Sequence, residues 1–436
     1  MKKHHIVVKE TLLNCITEMD SCRYLYAVNP KQDFTRNRKL SFKNLITFLL
    51  YMGGNSIRKE LIEYFDFNSD AITSSALVQQ RDKLLPCALE QLLNSFNNSF
   101  MHAKTYKGYR LLAVDGTSIS TPYNPEDKDS HFQVRKRKGY NLLHINAMYD
   151  LYNQIYTDAI IQPRRNLDEY SAAAHMVDRS DITGKVLLIA DRGYENYNLF
   201  AHAQEKAWKY LVRVKDVNSS GMLRSFDLPS TDEFDVNINL IMTTKQTKET
   251  KKNSHLYKFV PSTSRFDYLD SHSNIFYPIS LRVLRIKITD SLYETLITNL
   301  EYEQFLPCDI KELYSLRWGI ETSFRKLKYS IGLVNFHSKK SNCITQEIFA
   351  RIIMHNFCEI ITSHIIVSTK SQLYDYRVNF SFAVFICRKF MISLPNARAP
   401  DIEALLGKNA LPVRKGRSSP RNLKHQPNVS FLYRVA

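Results

Sequence analysis

Three acidic residues in this chain could build a phosphoryl-transfer centre. Asp115 ends an apolar run, RLLAVDGTSIS, and is followed by Gly116; Asp191 ends a second one, KVLLIA, and is followed by Arg192 and Gly193. Both runs read as strands, and the strand ends of such sheets are where sites are built. Glu321, from a later helix, would make a third carboxylate beside them. Three anions within a few ångströms repel one another and force their pKa values upward. A pair of divalent cations removes the conflict. Mg²⁺ takes hard carboxylate oxygens and keeps positions open for water and phosphate. Two such ions about 4 Å apart can activate an attacking oxygen and stabilise a leaving one in an in-line displacement.

The stretch that presents Glu321 has a second regularity. Tyr314, Arg317, Glu321 and Lys328 are spaced by 3, 4 and 7 residues. On a helix turning about 100° per residue they point at roughly 0°, −60°, −20° and −40°, all to one side. Leu313, Leu316, Ile320, Phe324 and Leu327 fall opposite, so Cys308 to Ser330 reads as one amphipathic helix. Taken alone, its polar face is an ordinary solvated stripe, with Arg325 free to pair with Glu321 four residues before it.

The elements that must position these residues are legible in order. Residues 1–105 read as helical, with helices over Phe42–Tyr51 and Ile57–Phe65 and another capped by Thr73 or Ser74 and interrupted at Pro86. This basic-studded part is either a DNA-binding domain, with a helix-turn-helix-like pair as one route, or a helical cap on the next domain. Residues 106–216 form the first part of an α/β core: three strands (from Arg110, through GYNLLHINAMYDLYN, and QIYTDAIIQP), a helix over Leu167–Ser180, the strand KVLLIA, a helix from Tyr197 and the strand KYLVRVK. That order, three strands and then alternation, is that of a mixed sheet flanked by helices. Residues 217–298 read as a β-rich insertion whose Lys245, Lys248, Lys251 and Lys252 suit phosphate contacts or a solvated hairpin tip. Residues 299–395 complete the core with the Glu321 helix, a long buried helix from Thr345 and another over Phe380–Ile392; residues 396–436 form a basic tail carrying Arg414, Lys415, Arg417, Arg421 and Lys424. Arg135 to Lys138 is a basic run that suits a DNA path or a solvated hairpin, and Asp129, Asp150, Asp168 and Glu169 read as surface acids.

Bulk composition narrows the partners. Sixty basic against 43 acidic residues give a net charge of +17, which favours a polyanion such as nucleic acid. No apolar run reaches the length of a membrane span, and the N-terminus lacks a signal-peptide pattern. Seven scattered cysteines without a Cys-x-x-Cys pair suggest reduced thiols in a cytosolic protein, not a disulfide or zinc framework. The 13 histidines show no zinc spacing, and there is no Gly-x-x-x-x-Gly-Lys loop.

Tyr314, Arg317, Glu321 and Lys328 match in full the signature Tyr-x2-Arg-x3-Glu-x6-Lys. With AVDGT around Asp115 and ADRGY around Asp191, the chain resembles the DDE transposases of bacterial insertion sequences, in the insertion-sequence-four group, from about Lys31 to the C-terminal tail. The resemblance implies an RNase H-like core, with Asp115, Asp191 and Glu321 as catalytic residues holding two Mg²⁺ ions, for which Mn²⁺ can substitute. It implies that Tyr314, Arg317 and Lys328 hold phosphates of the transposon end, that Trp318 stacks near a displaced base or else wedges against the insertion, and that Arg192 touches phosphate or makes a structural ion pair. Arg325 is left to contact DNA or restrain Glu321. The implied protein is a homodimer that pairs two double-stranded inverted-repeat ends, cuts the second strand through a hairpin and acts on the nucleoid in the bacterial cytoplasm. A metal-dependent nuclease of the same fold and a non-catalytic DNA-binding descendant are its rivals.

Overall fold

The computed structural model describes residues 3–100, 104–133, 139–217, 219–270, 275–290, 292–365, 375–393 and 401–413. The basic run at 135–138 and the tail cations Arg414, Lys415, Arg417, Arg421 and Lys424 lie outside the described residues. Five helices come first: α1 (His4–Ser21), α2 (Phe42–Tyr51), α3 (Ile57–Tyr64), α4 (Ser74–Arg81) and α5 (Cys87–Asn98). Local chemistry sets their limits. Thr73 Oγ1 accepts the Ala76 N–H at 3.2 Å and caps α4, while Pro86 separates α4 from α5. The expected helix over Phe42–Tyr51 has those bounds here.

The sheet beyond these helices explains the position of the acids. Its first strands are β1 (Arg110–Thr121), β2 (His131–Phe132), β3 (Tyr140–Asp150), β4 (Ile155–Pro163), β5 (Val186–Ala190) and β6 (Lys209–Val214). β1 runs antiparallel to β3, β3 antiparallel to β4, and β1, β5 and β6 run parallel in sequence. The spatial order β4-β3-β1-β5-β6, with only β3 reversed, is the RNase H-like arrangement expected from the sequence. The parallel steps need crossovers, and α6 (Glu169–Asp178) and α7 (Tyr197–Glu205) supply them. Alternate residues serve opposite faces. Leu112, Val114 and Leu188 pack with Ala173, Met176 and Phe200 of these helices, whereas Leu111, Leu187 and Ile189 face the other way. Burial on both faces also overrides the apolar–polar alternation of β3. His144, Asn146, Met148 and Asp150 are as buried as their neighbours. Asp150 is a correction: it is not a surface acid but is fully buried, held by Arg110 at 2.5 Å.

The β-rich insertion does not stand apart. β7 (Phe234–Thr243), β8 (Tyr257–Phe259), β9 (Phe276–Thr289) and β10 (Leu292–Thr298) continue the same sheet, because β10 pairs antiparallel with β6 and carries β9, β7 and β8 outward, to ten strands among the described residues. β7 escaped the sequence reading, although Phe234, Val236, Ile238, Leu240 and Met242 alternate as a strand should. Lys248, Lys251 and Lys252 sit exposed on a short helix, α8 (Lys248–Lys252).

The expected single helix over 308–330 is three pieces. α9 (Pro307–Ser315) is followed by α10 (Trp318–Arg325) and a π-turn over Lys326–Ser330. Between the two helices the N–H groups of Leu316, Arg317, Gly319 and Ile320 bond three residues back, at 2.9–3.2 Å, which tightens the turn. At the far end the Ile331 N–H reaches back five residues to Lys326 O at 3.0 Å, which loosens it. A uniform 100° wheel therefore misplaces side chains on both sides of Arg317.

The described residues end with α11 (Ser341–Thr362), a short strand pair of β11 (Asp375–Arg377) and β12 (Leu411–Val413), α12 (Phe380–Ile392) and α13 (Ile402–Lys408). α11 is buried around nearly its whole circumference. Its Ile348, Ile352 and Phe357 share one apolar cluster with Leu12, Phe48, Leu92 and Phe96 of the N-terminal helices and with Ile320, Phe324 and Leu327. The N-terminal helices thus brace the helix that carries Glu321. A buried ion pair crosses the same junction, with Arg81 Nη1 of α4 at 2.9 Å from Glu347 Oε1 of α11. Glu347→Ala strands the Arg81 charge and should lower stability by about 3–5 kcal/mol, seen as a lower denaturation midpoint. The double change Arg81→Met, Glu347→Leu should cost much less; equal losses would mean that the pair does not join these helices.

Candidate active site

Val114 of β1 pairs with Ala190 of β5 in parallel register. The next residues, Asp115 and Asp191, therefore stand on adjacent strands, whose axes lie about 4.8 Å apart. β5 ends there, as expected, but β1 runs on to Thr121, so Asp115 sits within its strand where its parallel partner stops. Each carboxylate is fixed by a nearby amide. Asp115 Oδ1 accepts the Gly116 N–H at 2.8 Å, and Asp191 Oδ1 accepts the Gly193 N–H at 2.7 Å. Gly116 has a steric reason. A Cβ there would lie 2.2 Å from His144 Nε2, and that imidazole is anchored to Glu169 at 2.8 Å and to Ser118 Oγ at 3.1 Å. Glu169 is thus half-buried against the His144 ring, not a free surface acid, and Asp168 caps α6 through the Ser171 N–H at 2.9 Å.

α10 brings the third acid. Ile320, Phe324 and Leu327 seat it in the core, and Ser323 Oγ meets Tyr156 OH of β4 at 2.8 Å. Glu321 then emerges on the side of β1. Its partner is Arg317, whose Nη2 donates to Glu321 Oε1 at 2.8 Å and whose Nη1 lies 3.9 Å from Asp115 Oδ2. The expected Glu321–Arg325 pair gives way to a pair in the opposite direction along the chain. Arg325 is exposed and makes no ion pair among the described residues. Arg317 is only 4% exposed, yet its Nε and Nη1 have no hydrogen-bond partner among the described residues. Its guanidinium lies over the rings of Trp318 and Tyr314, with centroids at 4.7 and 6.0 Å.

The remaining tetrad members are not all on a solvated face. Tyr314 is buried with Leu187 and Ile189, its hydroxyl unpartnered among the described residues, and burial pushes its pKa up to about 12. Lys328 leaves the π-turn to donate to Thr117 Oγ1 at 2.6 Å and Ser118 O at 3.0 Å, and burial lowers its pKa. It thereby ties the end of the Glu321 segment to the same strand as Asp115. Trp318 is half-exposed beside Arg317. Arg192 is exposed on the turn after Asp191 and makes no ion pair among the described residues. Sequence reasoning missed His144 and Thr117. The Gly after Asp115 was their only trace, since a glycine inside a strand often marks a close approach.

The electrostatics join the three acids. Burial pushes the Asp115 pKa up to about 6; its bond from the Gly116 N–H opposes this, the charge of Asp191 adds to it, Arg317 opposes and Glu321 adds. The donor set, three hard carboxylates with one reluctant to ionise, has the chemistry that suits a hard divalent ion. Arg317 lies against two of them here, and among the described residues no three His, Cys, Asp or Glu side chains stand as a ready ligand cage.

The fold and these acids define an RNase H-like α/β protein with an acidic centre where its parallel strands meet α10. The chain belongs to the transposase DDE domain family, whose model matches residues 106–357 and so takes in Asp115, Asp191 and the whole tetrad. The likeness is to the insertion-sequence-four type. Transposase InsG for insertion sequence element IS4, from Escherichia coli (strain K12), is 21% identical over 379 residues, which cover 83% of this chain and 78% of that protein. The cryo-EM structure of the piggyBac transposase synaptic complex with hairpin DNA aligns over 95% of this chain and 87% of its own at 11% identity, with a TM-score of 0.42. Among the described residues no helix is long and apolar enough to cross a membrane.

A raised carboxyl pKa is a stability cost. The unfolded Asp titrates near 3.9 and the folded one at about 6, so between those values the folded state binds more protons and stability falls as pH rises. Asp115→Asn should therefore stabilise the metal-free protein at pH 7 by about 1–3 kcal/mol. Denaturant melts in EDTA should show this gain disappearing below about pH 4.

Proposed function

We propose that this chain is the transposase of a bacterial insertion sequence. It cleaves DNA at the element's ends and joins the freed 3′-hydroxyl to target DNA. One observation carries the reading: Asp115 in β1 stands beside Asp191 just past the end of the parallel β5, and α10 brings Glu321 to them, in a chain of the transposase family. These three carboxylates would hold two Mg²⁺ ions, or Mn²⁺ in their place. When bound, the ions activate the attacking oxygen and stabilise the leaving one.

The chain's own residues supply the rest. With cations bound, the Asp115 carboxylate would be held ionised. Arg317 then has no need to neutralise Glu321, and its unpartnered Nε and Nη1 offer a fork to a phosphate of the DNA end. Lys328 adds a point charge on the β1 side and Tyr314 one hydroxyl donor. Trp318 offers an aromatic face to a displaced base, while Arg192 and Arg325 contact the backbone on either side. The cationic surplus of +17 brings the polyanion in. Two chains act together, each cutting one end, with the second strand opened through a hairpin; the N-terminal helices contribute to end recognition.

The decisive assay mixes the chain with Mg²⁺, a duplex carrying the element's end and a target plasmid. Joined products support the reading; cleavage without joining makes the chain a nuclease of the same fold. Glu321→Gln should reduce both steps to background while end binding persists, and continued cleavage by that variant would remove Glu321 from the triad. Arg325→Ala should lower the slope of log affinity against log salt by about 0.9. An unchanged slope would take Arg325 off the phosphate path.

A further inference from the structure

A groove of about 630 Å³ opens next to the second acid, between the α6–α7 layer and the insertion. Its walls are the first turn of α6, the turn that begins at Arg192, the loop after β6, and β8 with its continuation to Phe266. Trp318 is not among the lining residues. We infer that this groove binds unpaired nucleotides of a DNA strand adjoining the cut. The inference rests on the transposase reading.

Charge and shape argue for that occupant. The groove's acids are turned into the protein. Asp168 accepts from the Ser171 N–H and Oγ at 2.9 and 2.6 Å, and Glu195 accepts from the backbone N–H groups of Lys215 and Met222. Two of its cations are turned outward, while Arg265 is paired with Asp267. Arg192 and Lys215 are exposed and make no ion pair among the described residues. The same groove holds two aromatic rings that folding leaves in water, Tyr170 at 43% and Phe259 at 40% exposure. Cations that follow a backbone beside rings that stack on bases make a sequence-tolerant single-strand site. The volume suits one or two nucleotides, whereas a duplex is too wide to enter. The position supplies the rest, since Arg192, which lines the groove, follows Asp191 directly in the chain.

The test uses the full-length chain in EDTA, where no cutting intervenes. Two duplexes carry the element's end, one blunt and one with a four-nucleotide single-stranded flank containing 2-aminopurine. The wild type should bind the flanked duplex about tenfold more tightly and change the 2-aminopurine fluorescence on binding. Phe259→Ala and Tyr170→Ala should each remove most of that preference and of the fluorescence change, with blunt-end affinity unaltered. Phe259→Trp should keep both. A wild type that binds the two duplexes alike overturns the groove and leaves the transposase reading standing. Loss of blunt and flanked affinity in equal measure by the alanine variants also overturns it. A wild type that binds neither duplex overturns both.

Discussion

The gathering of three half-buried carboxylates, with Asp115 held back from ionising chiefly by its burial and further by the charges of Asp191 and Glu321, is the constraint around which this protein is built. Asp115 and Asp191 are placed side by side by strand register, and a change in either strand's register would separate them. Glu321 is added from a helix that the N-terminal helices and α11 hold in place. Without a counter-charge such a centre would push itself apart. Arg317 supplies one, at 2.8 Å from Glu321 and 3.9 Å from Asp115, and its own burial is tolerable only because those acids surround it. The arrangement is incomplete on the arginine's side: two of its nitrogens lack partners among the described residues, a cost that a bound anion would relieve.

The broken helix is the means by which one segment serves two opposing demands. A regular helix from Pro307 to Ser330 would keep all four tetrad side chains on one face. Tightening at Leu316–Ile320 turns Tyr314 and Arg317 inward, and the π-turn at Lys326–Ser330 lets Lys328 reach Thr117 while Leu327 stays in the core. Deviations of this kind are commonly found at functional sites. Here the deviation has a visible purpose, since each irregularity is closed by a bond to β1 or to an acid next to it.

Much of this was legible because it rests on periodicity and order. The strand–helix sequence from Arg110 to Val214, the helix over Phe42–Tyr51 and the strand-end setting of Asp191 follow from apolar spacing alone. The resemblance carried by the tetrad and its two flanking motifs led to the right family. What was not legible depends on tertiary context. Burial of Asp150 needs Arg110 from another strand, and pairing of Glu321 with Arg317, not Arg325, goes with the seating of Arg317 beside Asp115 on β1. His144 was hidden for the same reason, since only the register of β1 against β3 shows which glycine it fills.

The insertion marks the boundary between these two kinds of information. Its strands were visible as composition, but composition does not say which edge they join. The structure answers that with the pairing of β10 on β6. A sheet edge left open at β6 would expose a row of unpaired amides and carbonyls. Covering it with β10 makes the insertion a rigid extension of the catalytic sheet. Phe259, on a strand far from Asp191 in sequence, is therefore held in fixed relation to it through an unbroken ladder of hydrogen bonds, β8 to β7 to β9 to β10 to β6 to β5. A groove between such parts keeps its shape without a ligand, so a strand that enters it loses little free energy to reorganisation of the protein.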